Sequence, residues 1–171
     1  MDTKTDTIFL EFIQYNNWAN QQVLQACQRL SETQLDMNIP GAYGTIRATL
    51  EHIIRAETGY LRLLTGVRPQ PPFKWEDKPG LEDIRQFSIQ VGEKLVEMAR
   101  NTPPTHLIEG EEDGKHYTYQ ALAVFIQVID HGIEHRTNIT TLLNQGMLTP
   151  PGVDGWEYLW SHKDRFEFTD E

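Results

Sequence analysis

Residues 119–146 read YQALAVFIQVIDHGIEHRTNITTLLNQG, and the periodicity of this stretch decides the fold class. No proline interrupts it, and a glycine, Gly146, stands where a helix would stop. At 100° per residue, Val124, Val128 and Leu142 fall within about 60° of His131. The spacing predicts a long helix over about Tyr119–Gln145 with an apolar stripe. His131 and His135 lie about 40° apart on that stripe, so both imidazoles are expected to point inward.

The rest of the chain repeats the pattern. Phe9, Phe12, Ile13, Asn16, Ala19, Val23, Ala26, Cys27 and Leu30 mark a first helix over about Thr5–Leu30. Ser31 and Gln34 have capping-box spacing and predict a short extra turn. A second helix is expected over about Thr45–Thr65, stopped by Gly66, with Ile46, Leu50, Ile53, Ile54, Leu61 and Leu64 spread round much of its circumference. That breadth suits either a thick core or a dimer interface. A third helix is expected over about Leu81–Asn101, ended by Pro103 and Pro104, with Ile84, Phe87, Val91, Leu95 and Met98 as its stripe. Asp113-Gly114 predicts a hairpin turn between two short strands before the fourth helix. Asp154 is the expected N-cap of a last short helix carrying Trp156, Tyr158 and Trp160, and polar residues finish the chain.

The segment from Gly66 to Gly80 holds four prolines and no helical period. Fifteen residues extend over roughly 50 Å, more than the ~30 Å of a 20-residue helix. Such a connection can carry the chain back along the molecule, whereas antiparallel neighbours need much less. The expected architecture is all-α: a four-helix bundle, up-down-down-up, in a single domain over 1–171.

Composition narrows the function classes. With 15 Lys+Arg against 25 Asp+Glu the formal charge is −10, and no lysine- or arginine-rich run is present, which argues against nucleic acid and anionic membranes as partners. The single cysteine, Cys27, follows Val23 and Leu24 at helical spacing and reads as a buried small hydrophobe. One cysteine allows no internal disulfide and no four-cysteine zinc site. Residues Met1–Thr7 lack a signal-peptide apolar core, and no apolar run approaches the ~20 residues of a bilayer span. A soluble cytoplasmic protein is the expectation.

An inward histidine pair has two readings. The rings are core histidines bonded to polar neighbours, or they share a divalent cation that takes one nitrogen from each. His52 bears on the choice. It lies mid-way along the second helix, with Ala48, Ala56, Gly59 and Leu63 within about 40° of it, and small residues there leave room for a partner or ligand. A third imidazole from a facing helix makes a three-nitrogen set suited to Zn²⁺, Ni²⁺ or Fe²⁺, with a position left for water or substrate. His106, His116 and His162 lie in connections or the tail and are weaker candidates. Residues 131–135 also spell H-x-x-E-H, in which Glu134 would be the general base of an inverzincin peptidase. Those proteins are much larger, and no third glutamate ligand is evident, so that is the lesser reading. Asp130 reads as solvated, Arg136 as a partner of Glu134 or Asp130 in a surface ion pair or else as a contact for an anionic substrate, and Tyr15 and Trp18 as interhelix contacts.

Four segments in order carry a family resemblance: Tyr15-Asn-Asn-Trp-Ala-Asn20, Gly44-Thr-Ile-Arg-Ala-Thr-Leu-Glu-His52, His131-Gly-Ile-Glu-His135-Arg136, and Pro150-Pro-Gly-Val-Asp154 through Tyr158. Together they resemble the DinB-like (DinB/YfiT) family over nearly the whole chain. The resemblance implies a four-helix bundle, a metal site on His52, His131 and His135, and frequent homodimers. The sequence departs from the family pattern at Glu134, where histidine is common, and at Thr137-Asn138, where Gly-Gln is common. Glu134 and Arg136 sit beside the expected ligands. Some relatives are metal-dependent transferases or isomerases using low-molecular-weight thiols, and others are known as stress-associated proteins. Two function classes follow. One is a metal-dependent enzyme that activates a small thiol, in the manner of an S-transferase, or water, in the manner of a hydrolase. The other is a non-catalytic metal-binding or stress-interaction protein.

Overall fold

The computed structural model describes residues 3–166. The polar tail after Phe166, and Met1 and Asp2 of the polar N-terminus, lie outside the described residues. Within them the chain is mostly helical, with one small two-stranded sheet.

Local sequence explains each boundary. Helix α1 spans Thr3–Cys27, a turn short of the expected Leu30. The chain turns there because Ser31 begins the short helix α2, Glu32–Leu35, with a complete capping box: Ser31 Oγ accepts from Gln34 N–H, and Gln34 accepts from Ser31 N–H. Helix α3 spans Ile46–Thr65, capped by Thr45 and closed by Gly66 in the left-handed region at φ 76°, a backbone state that suits glycine. Helix α4 spans Leu81–Asn101. Between them the proline-rich connection is irregular apart from a 3₁₀ turn at Trp75–Asp77.

Strands β1, Leu107–Glu112, and β2, Lys115–Gln120, pair antiparallel across Asp113-Gly114. Both turn residues have positive φ, 52° and 71°, as a two-residue type I′ hairpin requires. Tyr119 and Gln120 therefore end a strand, and helix α5 starts two residues later than its period alone suggested, at Ala121, and runs to Gln145. Helix α6, Gly155–Ser161, is capped by Asp154, whose Oδ1 accepts from the N–H groups of Trp156 and Glu157.

The four long helices share one core. Helix α1 packs on α4 and α5, and α3 packs on α5 and α4. Polar pairs give their relative directions. Asn17 donates to the Gly92 carbonyl at 2.7 Å and Gln21 to Ser88 Oγ at 3.1 Å, while Gln28 bonds Glu82, so α1 and α4 run in opposite senses. His52 meets His131 and Tyr60 meets Gln127, so α3 and α5 also oppose. Ile13, Ile46, Ile84, Leu95, Ala121, Ile139 and Leu142 are fully enclosed at the centre, with Cys27 among them. Phe12, expected in the stripe of α1, is instead half exposed. It faces outward with Ile8 one turn before it, beside the short helix α6. No described helix is long and apolar enough to cross a membrane.

Candidate metal centre

The site begins with α5. Its apolar face buries Val124, Val128 and Leu142, and that same face carries His131 and His135 inward. The rings of His131 and His135 stand 4.3 Å apart between centroids. Because α3 lies against α5, His52 meets them from the facing helix. Its ring centroid is 4.9 Å from that of His131 and 4.6 Å from that of His135, and one ring nitrogen from each of the three residues lies within 4.8 Å of the others. Among the described residues this is the one cluster of three or more histidine, cysteine or carboxylate side chains able to hold a cation. His131 and His135 are buried, while His52 is only partly so. The cluster thus sits at the rim of the core rather than in its middle.

All three imidazoles are held neutral. Burial, helped by His135 and His52 and then by Arg136, pushes His131 down to about 4. Burial lowers His52, with His135 and Arg55 adding to it and Glu134 opposing. Burial also lowers His135, again against Glu134. Neutral imidazole is the form that donates a lone pair to a metal. Two further features fit a cation. His52 Nε2 and His131 Nε2 face each other at 2.9 Å, a separation that leaves room for one proton and not two. The Nδ1 atoms of His131 and His135 are buried with no hydrogen-bond partner, and buried polar atoms without partners are costly. Three neutral imidazoles with convergent ring nitrogens, two of them also carrying a buried Nδ1 without a partner, suit a first-row divalent ion.

The surroundings hold what the sequence did not reveal. Tyr43, in the loop before α3, lays its ring 4.4 Å from His52 and 4.5 Å from His135. Its hydroxyl bonds His52 Nδ1 at 2.8 Å, and its backbone N–H donates to Asn138 Oδ1 at 3.3 Å. A loop tyrosine has no period to betray it. The only signal was its place directly before Gly44, at the head of the segment leading to His52. On the other side, Tyr60 stands edge-on to His131 at 5.7 Å, with Gln127 donating to its hydroxyl.

Arg136 is not a surface residue. It is 2 % exposed, and one terminal guanidinium nitrogen donates to Asn16 Oδ1 and Asn20 Oδ1, both at 2.7 Å. The reason is Gly132, one turn earlier. A Cβ there would stand 2.3 Å from Asn16 Oδ1 and 2.6 Å from the same guanidinium nitrogen. Glycine thus opens the groove through which α1 reaches Arg136. Asn16 and Asn20 in turn donate to Glu57 Oε1 at 2.8 and 2.7 Å. A surface pairing of Arg136 with Glu134 or Asp130 is therefore overturned, and both carboxylates are exposed.

The other histidines do not join the cluster. His106 and His116 are exposed, and His162 packs against Tyr158 and Trp18 with its Nδ1 on the Tyr158 carbonyl. Tyr15 and Trp18 do make interhelix contacts: Tyr15 donates to the Val153 carbonyl at 2.8 Å, and both rings pack on Tyr158 of α6.

With the fold and the site in view, comparison with known proteins gives three findings. The model of the DinB family matches residues 1–167. Protein DinB of Bacillus subtilis (strain 168) is 22% identical over 161 residues, covering 88% of this chain and 92% of that protein. A crystal structure of a DinB-like protein from Bacillus cereus ATCC 10987 superposes with a TM-score of 0.63 at 23% identity, covering 85% of this chain and 95% of that one. The four segments, the helical fold and the match over nearly the full length agree, and the chain belongs to the DinB family.

Proposed function

We propose that the protein is a metal-dependent enzyme of the transferase or hydrolase kind, with His52, His131 and His135 as the ligands of one divalent ion. We place these helices in an up-down-down-up four-helix bundle, and the polar pairs support that order. Asn16 of α1 lies against Gly132 of α5 while Asn20 meets Arg136, so these two helices run in the same sense. The other two oppose them, and the crossover 66–80 returns the chain. In this order the ligand pair on α5 faces its third member on α3.

The observation that carries the reading is the convergence of three neutral imidazoles at the rim of the core. Three protein nitrogens leave a zinc-like ion at least one further position. A cation bound there would act as a Lewis acid, favouring the deprotonated form of a small thiol or of water. The chain's own residues hold the rings neutral and partly shield them from solvent. Glu134, exposed beside His52 and His135, contributes a negative field. A low-molecular-weight thiol is the preferred partner, through the family resemblance, and a cytoplasmic homodimer belongs to the same reading. The test is turnover of an electrophile panel with glutathione or bacillithiol by metal-loaded protein. Metal-dependent product formation supports the reading, and no turnover with thiol or water across the panel removes it.

A non-catalytic metal-binding role has one observation in its favour: the Tyr43 ring lies directly against two of the three imidazoles. Under that reading chelation lowers stability and there is no turnover to lose.

A further inference from the structure

Tyr43 touches the cluster in a way that packing alone does not require. It is 52% exposed, so its ring fills no hole in the core, and among the described residues its hydroxyl bonds His52 Nδ1 at 2.8 Å. His52 is the most solvent-reachable of the three rings and the one whose helix face is least covered. Its neighbours Ala48 and Leu63 are exposed, and Gly59 leaves open space. Among the described residues, no side chain of its own helix hydrogen-bonds the ring.

Chemistry gives the bond a direction. A neutral imidazole carries one proton, on Nδ1 or on Nε2. His52 Nε2 points at His131 Nε2, toward the middle of the cluster. For that nitrogen to give its lone pair to a cation, the proton must sit on Nδ1, where the phenol oxygen of Tyr43 accepts it. A ligating histidine commonly has its other ring nitrogen fixed in this way by a hydrogen-bond acceptor. The loop is built to present that oxygen. Gly41 takes the left-handed region at φ 89° and Thr45 caps α3. Asn138, one turn after His135, ties the backbone of Tyr43 to α5. The phenol is therefore held from both helices that carry the cluster.

Resting on the metal-site reading above, we infer that Tyr43 is a positioning residue: its hydroxyl accepts a proton from His52 Nδ1, fixing the ring and the tautomer that leave Nε2 free for the metal.

The experiment compares wild type with Tyr43→Phe, using zinc as the probe. The variant keeps the ring and the backbone bond to Asn138 and loses only the oxygen, so the fold is expected to survive; circular dichroism and unfolding confirm this. Zinc affinity is measured by competition with a chromophoric chelator. The His52 tautomer is read in parallel by long-range ¹H–¹⁵N NMR of the zinc-loaded protein. The expected result is an affinity loss of about tenfold or more. The His52 Nδ1 proton, protected in wild type, exchanges freely in the variant. Zinc affinity within about twofold of wild type, or an unchanged His52 spectrum, overturns the role of Tyr43 while leaving the site intact. A wild type that binds no zinc fails differently, since it removes the metal site itself.

Discussion

Arg136 and Glu57 are two buried ionisable side chains joined through a pair of amides rather than by a direct bond. Asn16 and Asn20 each accept from the arginine and donate to the carboxylate, with all four bonds at 2.7–2.8 Å. The arrangement ties α1 to α3 and α5, and Arg136 follows His135 in the chain. Glu57→Ala leaves two asparagine donors without an acceptor and the guanidinium without its carboxylate. The expected cost is about 3 kcal/mol or more, measured by urea unfolding. Glu57→Gln keeps an acceptor and is expected to cost less.

The same carboxyl gives a pH signature. Burial raises Glu57 above its ordinary value of 4.5, against the two asparagine bonds and Arg136. A carboxyl with a raised folded pKa binds its proton more readily in the folded state. Its stabilising contribution is therefore complete below the ordinary carboxylate range and is lost as pH rises through the folded value. The stability of wild type relative to Glu57→Gln is expected to fall as pH rises from about 4.5. A stability difference that is flat in pH would show that Glu57 does not titrate differently on folding.

Gly132 is the hinge of this network in the packing sense. Gly132→Ala puts a methyl group against Asn16 and Arg136, both already committed to hydrogen bonds. A helix-favouring substitution on an open face would stabilise by roughly 0.5–1 kcal/mol. Here overpacking reverses the sign, with an expected loss of about 1–3 kcal/mol in chemical unfolding.

Cys27 bears on which nucleophile serves the site. It is fully buried, and burial pushes its thiol up to about 12, so it carries almost no thiolate at neutral pH. A disulfide reagent is expected to leave the native protein unlabelled and to label one thiol after denaturation. Fast labelling of folded protein would show Cys27 to be accessible, and any thiol chemistry would then have an internal candidate.

The histidines set a second pH window. His131 is pushed down to about 4 from its ordinary 6.5, so between those values the unfolded chain binds the extra proton. Stability of metal-free protein therefore rises with pH across about 4 to 6.5. His131→Gln is expected to flatten that slope in thermal unfolding followed against pH.

Much of this was legible in the sequence, for reasons visible in particular residues. Helices α3 and α4 declared themselves through their apolar periods and through Gly66, Pro103 and Pro104, because breakers act locally. The hairpin followed from Asp113-Gly114, whose backbone demands are equally local. His131 and His135 were placed by the period of their own helix. Arg136 was misjudged because its partners belong to a different helix and a charged residue defaults to solvent. The opening that admits those partners is the absence of a side chain at Gly132. Phe12 was misplaced because its period is right but α6 and not the core lies beside it. Tyr43 was missed because its role depends on loop shape, which no periodicity reports.

The most direct measurement is the metal content and zinc affinity of purified wild type beside His52→Ala, with circular dichroism to establish that both are folded. His52 is the ligand contributed by α3, so it tests whether the two helices share one ion. The expected result is about one ion per chain in wild type and an affinity at least about 100-fold weaker in the variant. Folded His52→Ala that holds the same metal with wild-type affinity would contradict the three-histidine centre.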